Sequence, residues 1–254
     1  NTTDPNYMYS STSLTLVNQD DDVALVNNDA AANLQTTEAP GKAVMFNVWL
    51  NSQPTGNVNV NVTSSNIKEG TVSPASLAFT SSNWSAKQQV TVTGVDDSVA
   101  DANQTYTVSL KPASSSADGK YAALAATNLT LVNVNDDKFG ITVTPTTCAT
   151  MPGTTAMFSV VLTSQPLGPV SIGISSDNAT EGTVPPSTVL SFTATTWNVA
   201  QPVTVTGVDD GTMGGMASYK IVTAPAVSAM DSNYNGLNAA DVTCVNSTPA
   251  APMP

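Results

Sequence analysis

Apolar and polar residues alternate along most of this chain, in short runs separated by Gly, Pro, Asn and Asp. Between residues 43 and 134 these runs read "AVMFNVWL", "NVNVNVT", "SLAFT", "QQVTVTGV", "QTYTVSL" and "NLTLVNV". A period of two places successive side chains on opposite faces of a β-strand, and the intervening residue types form turns. We therefore predict a strand for each run, whereas no part of the chain has a convincing helical period.

The first strand of this series is predicted to be split into two pieces, Val23–Val26 and Leu34–Thr37. With those pieces the series contains roughly seven strands in about 110 residues, a pattern typical of an immunoglobulin-like sandwich. We therefore expect an all-β protein built from antiparallel β-sandwiches.

The same series occurs twice, which is the strongest signal in the sequence. Three stretches of the first copy return about 113 residues later: Phe46–Trp84 as Phe158–Trp197, Gln89–Asp97 as Pro202–Asp210, and Gly119–Leu124 as Ser232–Leu237. A match of this length indicates a duplication. We therefore predict two tandem immunoglobulin-like sandwiches, residues 22–137 and 138–248, preceded by an extra strand within residues 1–21 and followed by a Pro-rich tail, residues 249–254.

The N-terminal stretch "SLTLVNQDDD" (Ser13–Asp22) nearly repeats "NLTLVNVNDD" (Asn128–Asp137), which closes the first sandwich. Residues 1–21 therefore match only the final strand of an upstream repeat. A strand that carries Leu14, Leu16 and Val17 cannot satisfy its backbone groups alone, so it needs a partner.

Two explanations fit the unpaired strand. The chain is part of a longer array, or the strand pairs with a neighbouring subunit and builds a head-to-tail homopolymer. We favour assembly, although the second sandwich has its own closing strand at residues 240–246, so no vacant groove demands a donated strand.

Composition excludes several functions. The 254 residues carry a net charge of −12, and the seven basic residues are all Lys, with no His. An acidic chain has no basic face for nucleic acid, and without His it has neither a Ser-His-Asp triad nor a His zinc site. No apolar run approaches the eighteen or so residues that span a bilayer, so we expect no membrane insertion.

The order of "SSNIKEGTV", "NW", "VTVTGVDD" and the closing "LVNVNDD" resembles the Calx-β-type repeats of large bacterial surface proteins. Related calcium-binding domains occur in sodium–calcium exchangers. The resemblance covers nearly the whole chain. It implies a sandwich fold, an extracellular location at a bacterial cell surface, and calcium loops in some copies, whereas many bacterial copies are spacers.

Six carboxylates of the first sandwich are candidate calcium ligands, both by this resemblance and because their three segments can meet at one end of a sandwich. Calcium prefers six to eight hard oxygen ligands, which Asp-rich loops supply. The alternative is a solvated "VDD" turn, in which Asp caps the backbone. The candidates are Glu38, Asp96, Asp97, Asp101, Asp136 and Asp137.

The second sandwich lacks most of this set. We place Thr150 at the position of Glu38, Gly214 at that of Asp101, and Pro249–Ala250 at those of Asp136–Asp137. Asp209 and Asp210 remain. Our hypothesis is an intersubunit calcium site in which Asp21 and Asp22 of another subunit supply the missing acids.

Cys148 and Cys244 are additions to the repeat, since we place Thr36 and Leu131 at the equivalent positions. They lie near the first and last strands of the second sandwich, which run side by side in many such folds. We favour an internal disulfide, which suits an exported protein. Free thiols and an intermolecular bridge are the alternatives.

Together these observations predict a non-enzymatic extracellular structural subunit of a bacterial surface filament or fibre, with itself as partner and calcium stiffening its joints. The alternative is a stalk of a giant calcium-binding adhesin, whose partner is a host or neighbouring cell surface. A carbohydrate-binding module ranks third, because only 6% of residues are aromatic and Trp84 and Trp197 hold equivalent packing positions.

Overall fold

A computed structural model of the protein describes residues 13–38 and 42–249. The alternating runs form strands, and the predicted all-β architecture of tandem sandwiches is confirmed. The first sandwich contains β1 (Val26–Asn28), β2 (Leu34–Thr37), β3 (Ala43–Leu50), β4 (Val58–Ser64), β5 (Gly70–Ser73), β6 (Ser76–Phe79), β7 (Gln88–Gly94), β8 (Gln104–Pro112), α1 (Gly119–Ala122) and β9 (Thr127–Val134).

The second sandwich repeats this order without the helix. It contains β10 (Ile141–Thr144), β11 (Thr147–Thr150), β12 (Thr155–Leu162), β13 (Val170–Ser176), β14 (Gly182–Thr183), β15 (Val189–Phe192), β16 (Gln201–Gly207), β17 (Met216–Thr223) and β18 (Val242–Ser247).

Each sandwich consists of a four-stranded and a five-stranded sheet. The orders are β1-β3-β7-β5 and β2-β9-β8-β4-β6 in the first, and β10-β12-β16-β14 and β11-β18-β17-β13-β15 in the second. Among the described strands, the expected antiparallel pairing holds except that β2 runs parallel to β9 and β11 runs parallel to β18. In each sandwich the first and last strands of the five-stranded sheet are therefore direct neighbours.

Two strand predictions need correction. The first half of the split strand is β1, which begins at Val26 and not at Val23. The "EGTV" segment, for which no strand was predicted, contributes the short edge strand β5 and its counterpart β14. Its glycine is required, because a Cβ on Gly70 would lie 2.3 Å from the ring of Tyr106, and Gly182 meets Tyr219 in the same way.

Each sandwich encloses its own hydrophobic core. Inward-facing residues of β3, such as Phe46, Val48 and Leu50, are buried, while Met45, directly before Phe46, is exposed, as the alternation predicts. Trp84 and Trp197 are partly buried and pack against the first and second cores, respectively. No helix in the described residues is long and apolar enough to cross a membrane.

Residues 13–25, which contain the predicted assembly strand, form no strand in the described structure. Leu14, Leu16 and Val17 are 81%, 84% and 84% exposed. The C-terminal part of this segment contacts the first sandwich. Asp20 forms an ion pair with Lys120 at 2.8 Å, and the carbonyl of Val23 accepts from the side chains of Asn51 and Ser52. The strand therefore finds no β-partner among the described residues of its own chain, and pairing with another subunit stays a prediction.

Residues 1–12 of the predicted strand segment, the loop 39–41, and the tail beyond Pro249 lie outside the described residues.

The two sandwiches contact each other through a short joint. The backbone N–H of Gln165 donates to the carbonyl of Ser98 at 2.6 Å, and the side-chain amide of Asn233 donates to the carbonyl of Ala100 at 3.2 Å. The ring of Phe139 meets that of Tyr234 edge-on, with centroids 6.4 Å apart. The loop after β7 and the linker after β9 therefore both touch the second sandwich.

Candidate metal centre

The pairing of the first and last strands brings distant acids to one end of the first sandwich. The parallel β2–β9 register continues past the strands, because the N–H of Glu38 donates to the carbonyl of Val134 at 3.1 Å. Glu38 directly follows β2, and Asp137 lies three residues after β9. Both carboxylates consequently leave the sheet at the same end.

The loop after β7 reaches this end because β7 finishes in glycine. A Cβ on Gly94 would lie 2.3 Å from the carbonyl oxygen of Thr37 and 2.6 Å from the side-chain oxygen of Asn133. Without a side chain at Gly94, β7 lies directly against the ends of β2 and β9. Asp97 follows three residues later and so joins the two other acids.

Glu38, Asp97 and Asp137 each place one carboxylate oxygen within 4.8 Å of the others. Glu38 is only 3% exposed, Asp137 is partly buried, and Asp97 is open to solvent. Oε2 of Glu38 and Oδ2 of Asp137 are buried without a hydrogen-bond partner. Buried polar atoms are nearly always paired, so two such oxygens in one cluster point to a ligand.

The electrostatics of the cluster favour a cation. Burial, followed by the charges of Asp97 and Asp101, raises the pKa of Glu38 to about 7, although the N–H of Asp136 partly opposes this. Burial and then the neighbouring Asp136 charge also raise the pKa of Asp137. In the described part of the chain, no group that shifts either pKa is a cation.

Calcium fits this donor set. It is a hard cation that takes six to eight oxygens, including carboxylates, carbonyls and water, at flexible geometry. Glu38, Asp97 and Asp137 would hold it, and its charge would remove the repulsion between them. Asp97 is already oriented, because its Oδ1 accepts from the N–H of Val99 at 2.7 Å.

The six predicted ligands therefore divide into two groups. Glu38, Asp97 and Asp137 are brought together, whereas Asp96, Asp101 and Asp136 lie outside the three-oxygen cluster and act on it through their charges or backbone. Asp101 has its own partner, the side-chain amide of Gln104 at 2.8 Å. Its carbonyl accepts from the side chain of Asn135.

Sequence reasoning missed Asn133, which organises the site from beneath. This buried residue accepts from the hydroxyl of Thr36 at 3.0 Å and donates to Glu69 at 3.3 Å and to the carbonyl of Val95 at 3.0 Å. It therefore ties β2, β9 and the start of the acidic loop together. The signal was present in the repeat, because Asn246 occupies the same place in the second sandwich.

The hydrogen bonds correct one assignment of the repeat. Thr150 bonds the hydroxyl of Tyr219 and the side chain of Asn246, as Thr36 bonds Tyr106 and Asn133. Thr150 is therefore the counterpart of Thr36, and the residue at the place of Glu38 is Pro152. The segment before β12 has a different length from that before β3, which shifted the alignment by two residues.

The second sandwich closes this end without an acidic trio. The N–H of Gly214 donates to the carbonyl of Pro249, and that of Gly215 donates to the hydroxyl of Thr248. The hydrogen bond from the Thr212 hydroxyl lowers the pKa of Asp210, and Asp209 accepts from the N–H of Gly211. Asp209 and Asp210 therefore form solvated turns here.

The predicted intersubunit calcium site stays a prediction. Asp21 and Asp22 lie beside the Asp20–Lys120 ion pair, near the start of β9, and the acidic trio lies beyond its end. Asp209 and Asp210 belong to the far end of the second sandwich. Within the described part of the chain these four residues form no common cluster.

Cys148 and Cys244 form a disulfide between β11 and β18, with Cα atoms 4.4 Å apart. The two residues are direct partners in the parallel register, as Leu34 and Leu131 are in the first sandwich. The counterpart of Cys148 is therefore Leu34, and not Thr36 as the sequence alignment indicated.

No protein-family model matches the chain, and no curated protein matches it. Among solved structures, it is similar to the calcium binding domain CBD12 of CALX1.1, with 14% identity over 76% of this chain and 78% of that chain at a TM-score of 0.35. CBD12 from CALX1.2 matches at 12% identity over 85% of this chain and 96% of that chain, with a TM-score of 0.36.

Domains 4 and 5 of the S-layer protein SbsC match at 16% identity over 75% of this chain and 77% of that chain, with a TM-score of 0.33. These three matches are weak, and they describe a similarity of β-sandwich fold alone.

Proposed function

We propose that the protein is a non-enzymatic structural module of an extracellular filament or fibre, in which calcium stiffens the joint between the sandwiches. The observation that carries this proposal is the pair of buried, unpartnered oxygens, Glu38 Oε2 and Asp137 Oδ2. They belong to an acidic trio beside the joint. A bound cation is the partner that satisfies both atoms and neutralises the trio.

The connection between the trio and the joint supports the stiffening role. The loop that holds Asp97 also presents the carbonyls of Ser98 and Ala100 to Gln165 and Asn233 of the second sandwich. Asp137 is followed within two residues by Phe139, whose ring contacts Tyr234. A cation that fixes Asp97 and Asp137 therefore also fixes both segments that touch the second sandwich.

The disulfide supports an extracellular location, because such bonds persist in oxidising compartments. A cell-surface filament lies in such a compartment.

Assembly into a homopolymer is supported by the N-terminal segment. Its apolar side chains Leu14, Leu16 and Val17 are exposed in an alternating segment that lacks a strand partner in the described structure. The disulfide holds β18 to β11, so an incoming strand cannot replace β18 without breaking a covalent bond. We therefore propose that the segment adds to an exposed sheet edge of a neighbouring subunit.

Calcium titration tests the joint. Isothermal titration of the full chain should show one calcium site per chain, and millimolar calcium should raise the melting temperature, because it binds the folded state only. Asp97→Asn should abolish both effects. Asp210→Asn, at the equivalent position of the second sandwich, is the matched control. The predicted intersubunit site at Asp210 needs a second chain, so unassembled chains of this variant should keep both effects. Absence of binding to the wild-type chain would remove calcium from the proposed function.

Electron microscopy tests assembly separately. The wild-type chain should form fibres with a regular subunit repeat, and Leu14→Asp with Leu16→Asp should abolish them while calcium binding is kept. Wild-type chains that bind calcium but stay single would contradict the filament and support the stalk of a large adhesin.

A further inference from the structure

In each sandwich, the first and the last strand of the five-stranded sheet lie side by side and close the sandwich. In the first, β2 lies parallel to β9 from Leu34↔Leu131 to Thr37↔Val134. In the second, β11 lies parallel to β18 from Thr147↔Thr243 to Thr150↔Asn246. Along the chain, β9 and β18 are the last strands of their sandwiches, and only the short strands β1 and β10 precede β2 and β11.

Tension along the chain loads this pair in shear. When the ends of a sandwich are pulled apart, its first strand is drawn toward the N-terminus and its last strand toward the C-terminus. Because the two strands are parallel neighbours, all the hydrogen bonds between them carry the load together. The β1–β3 contact has three residue pairs, against four between β2 and β9, and it lies ahead of β2 in the path, so tension reaches it first.

In the second sandwich a covalent bond crosses the loaded pair. Cys148 and Cys244 are direct partners in the register and are 96 residues apart in sequence. Tension that reaches Cys148 therefore passes through the disulfide to Cys244 and leaves the residues between them unloaded.

In the first sandwich no covalent bond joins the equivalent partners, Leu34 and Leu131, which are held by the hydrogen-bonded strand pair and by packing. The acidic trio stands at the end of the same pair, with Glu38 directly after β2 and Asp137 just after β9. A cation held by Glu38 and Asp137 therefore bridges the first strand to the exit of the last strand. It occupies the role that the disulfide has in the second sandwich.

We propose that the chain is a mechanical element in which a different crosslink, here called a lock, holds the equivalent strand pair of each sandwich. The lock is calcium in the first sandwich and the disulfide in the second. The first sandwich is extensible and its resistance is set by calcium, whereas the second is a strut whose extension the disulfide limits. This inference rests on the proposed calcium site for the first sandwich, while its second half rests on the disulfide alone.

Without calcium, the carboxylates of the first lock destabilise the strand pair that they hold when calcium is bound. Glu38, Asp97 and Asp137 then repel one another at the end of the loaded pair, and the repulsion weakens that end of the pair. The second sandwich has no such trio among its described residues, so calcium should not change its resistance.

Single-molecule pulling of the full chain by its two ends tests the proposal. Unfolding of the first sandwich releases roughly a hundred residues, each up to about 3.6 Å long when extended, so we expect an increment of roughly 350 Å. Under oxidising conditions the second sandwich should release only the few residues outside the disulfide, with an increment below about 50 Å. A reductant should convert this into a second increment of roughly 350 Å.

Calcium should slow the unfolding of the first sandwich under force and should leave the unfolding of the second sandwich unchanged. At constant force, the lifetime of the first sandwich should rise about tenfold or more from chelator to millimolar calcium, because binding stabilises the loaded state. Asp97→Asn should abolish this rise, and Asp210→Asn should keep it. The lifetime of the reduced second sandwich should be the same with and without calcium.

The outcomes separate the inference from the function on which it rests. Calcium that raises the melting temperature without prolonging the lifetime under force would overturn the calcium lock and leave the binding site intact. A full-length increment from the oxidised second sandwich would overturn the covalent lock. Equal calcium effects on both sandwiches would overturn the assigned division of roles.

Discussion

At the scale of single residues, the central feature is a carboxylate in an unfavourable place. Glu38 is almost fully buried, one of its oxygens has no hydrogen-bond partner, and two further acids approach it within 4.8 Å. Each of these conditions disfavours its ionised form. A residue of this kind is destabilising in the metal-free protein and stabilising when it binds a cation, so its replacement should have effects of opposite sign.

Glu38→Gln should therefore reverse the calcium dependence of stability. In chelator at pH 8 the variant should be more stable than wild type by roughly 1 kcal/mol, because a buried, repelled charge is removed. In millimolar calcium it should be less stable, because a ligand is lost. Urea unfolding under both conditions measures the two differences.

Glu181→Gln is the control, since Glu181 is also buried but accepts from the side chain of Asn246. Its stability change should be the same with and without calcium. A Glu38→Gln variant that is destabilised equally in both conditions would assign Glu38 a packing role only.

The raised pKa of Glu38 predicts a pH dependence with a definite sign. The folded pKa is about 7, against an ordinary value of 4.5, so the folded protein holds one more proton than the unfolded chain between these values. The metal-free protein should therefore lose stability as the pH rises from about 4.5 to 7. Calcium affinity should rise over the same interval, because the ligand must be deprotonated.

Urea midpoints at pH 5.5 and 8, with chelator and with calcium, check this prediction. The Glu38→Gln variant should lose the part of the slope that Glu38 causes. A wild-type slope that survives in the variant would contradict the assignment.

At the scale of elements, the site depends on how closely three strand ends approach. Gly94 ends β7 against the carbonyl of Thr37 and the side chain of Asn133, where no Cβ has room. This close approach requires a glycine, and it brings the loop that carries Asp97 next to Glu38 and Asp137. The equivalent Gly207 meets Met151 and Asn246 at similar distances.

Gly94→Ala should therefore destabilise the first sandwich by about 2–4 kcal/mol, because the backbone of Thr37 cannot move aside without breaking the β2–β9 pair. It should also weaken calcium binding, since Asp97 would be displaced from Glu38. Gly119→Ala is the control, because its Cβ would meet nothing within 4 Å. Thermal melting and calcium titration measure both effects, and a fully stable Gly94→Ala would contradict the contact.

The elements were predictable where the alternation is long and regular. Strands such as β3, β4 and β7 followed directly from it, whereas β5 and β14 did not, because they are short edge strands that begin with glycine. The parallel direction of β2 against β9 was also missed. Alternation identifies the buried face of a strand but contains no information on which strand lies beside it.

The same limit applied to the candidate site. The repeat and the Asp-rich segments identified six acids, but the selection of Glu38, Asp97 and Asp137 follows from strand register and from Gly94. The misplacement of Thr150 arose because a change in loop length shifts an alignment without any change in the strands. Only the shared hydrogen bonds to Tyr219 and Asn246 placed it correctly.

At the scale of the whole molecule, the hydrogen bonds described at the joint end on backbone acceptors. The carbonyls of Ser98 and Ala100 accept from the backbone N–H of Gln165 and the side-chain amide of Asn233, and a backbone acceptor is not visible in the identity of its residue. The existence of a short joint was therefore predictable from the repeat, but its contacts were not. Its stiffness should depend on the side-chain donor, which can be removed.

Asn233→Ala should widen the distribution of angles between the sandwiches and reduce its response to calcium. Distances between spin labels placed on the two sandwiches measure this distribution. Asn238→Ala, an exposed amide of the same loop region, is the control and should behave as wild type. A distribution that is equally narrow in Asn233→Ala would show that Phe139 and the linker suffice to hold the joint.

The pairing of the first strand with the last strand in each five-stranded sheet also affects how the molecule folds. Neither β2 nor β11 can find its partner until almost the entire sandwich has been synthesised, since β9 and β18 come roughly a hundred residues later. Contacts so distant in sequence make folding slow, on the order of milliseconds to seconds for such topologies. While a sandwich of this design is being synthesised, its five-stranded sheet therefore lacks the closing pair, and the edge of its first strand stays accessible until the last strand arrives.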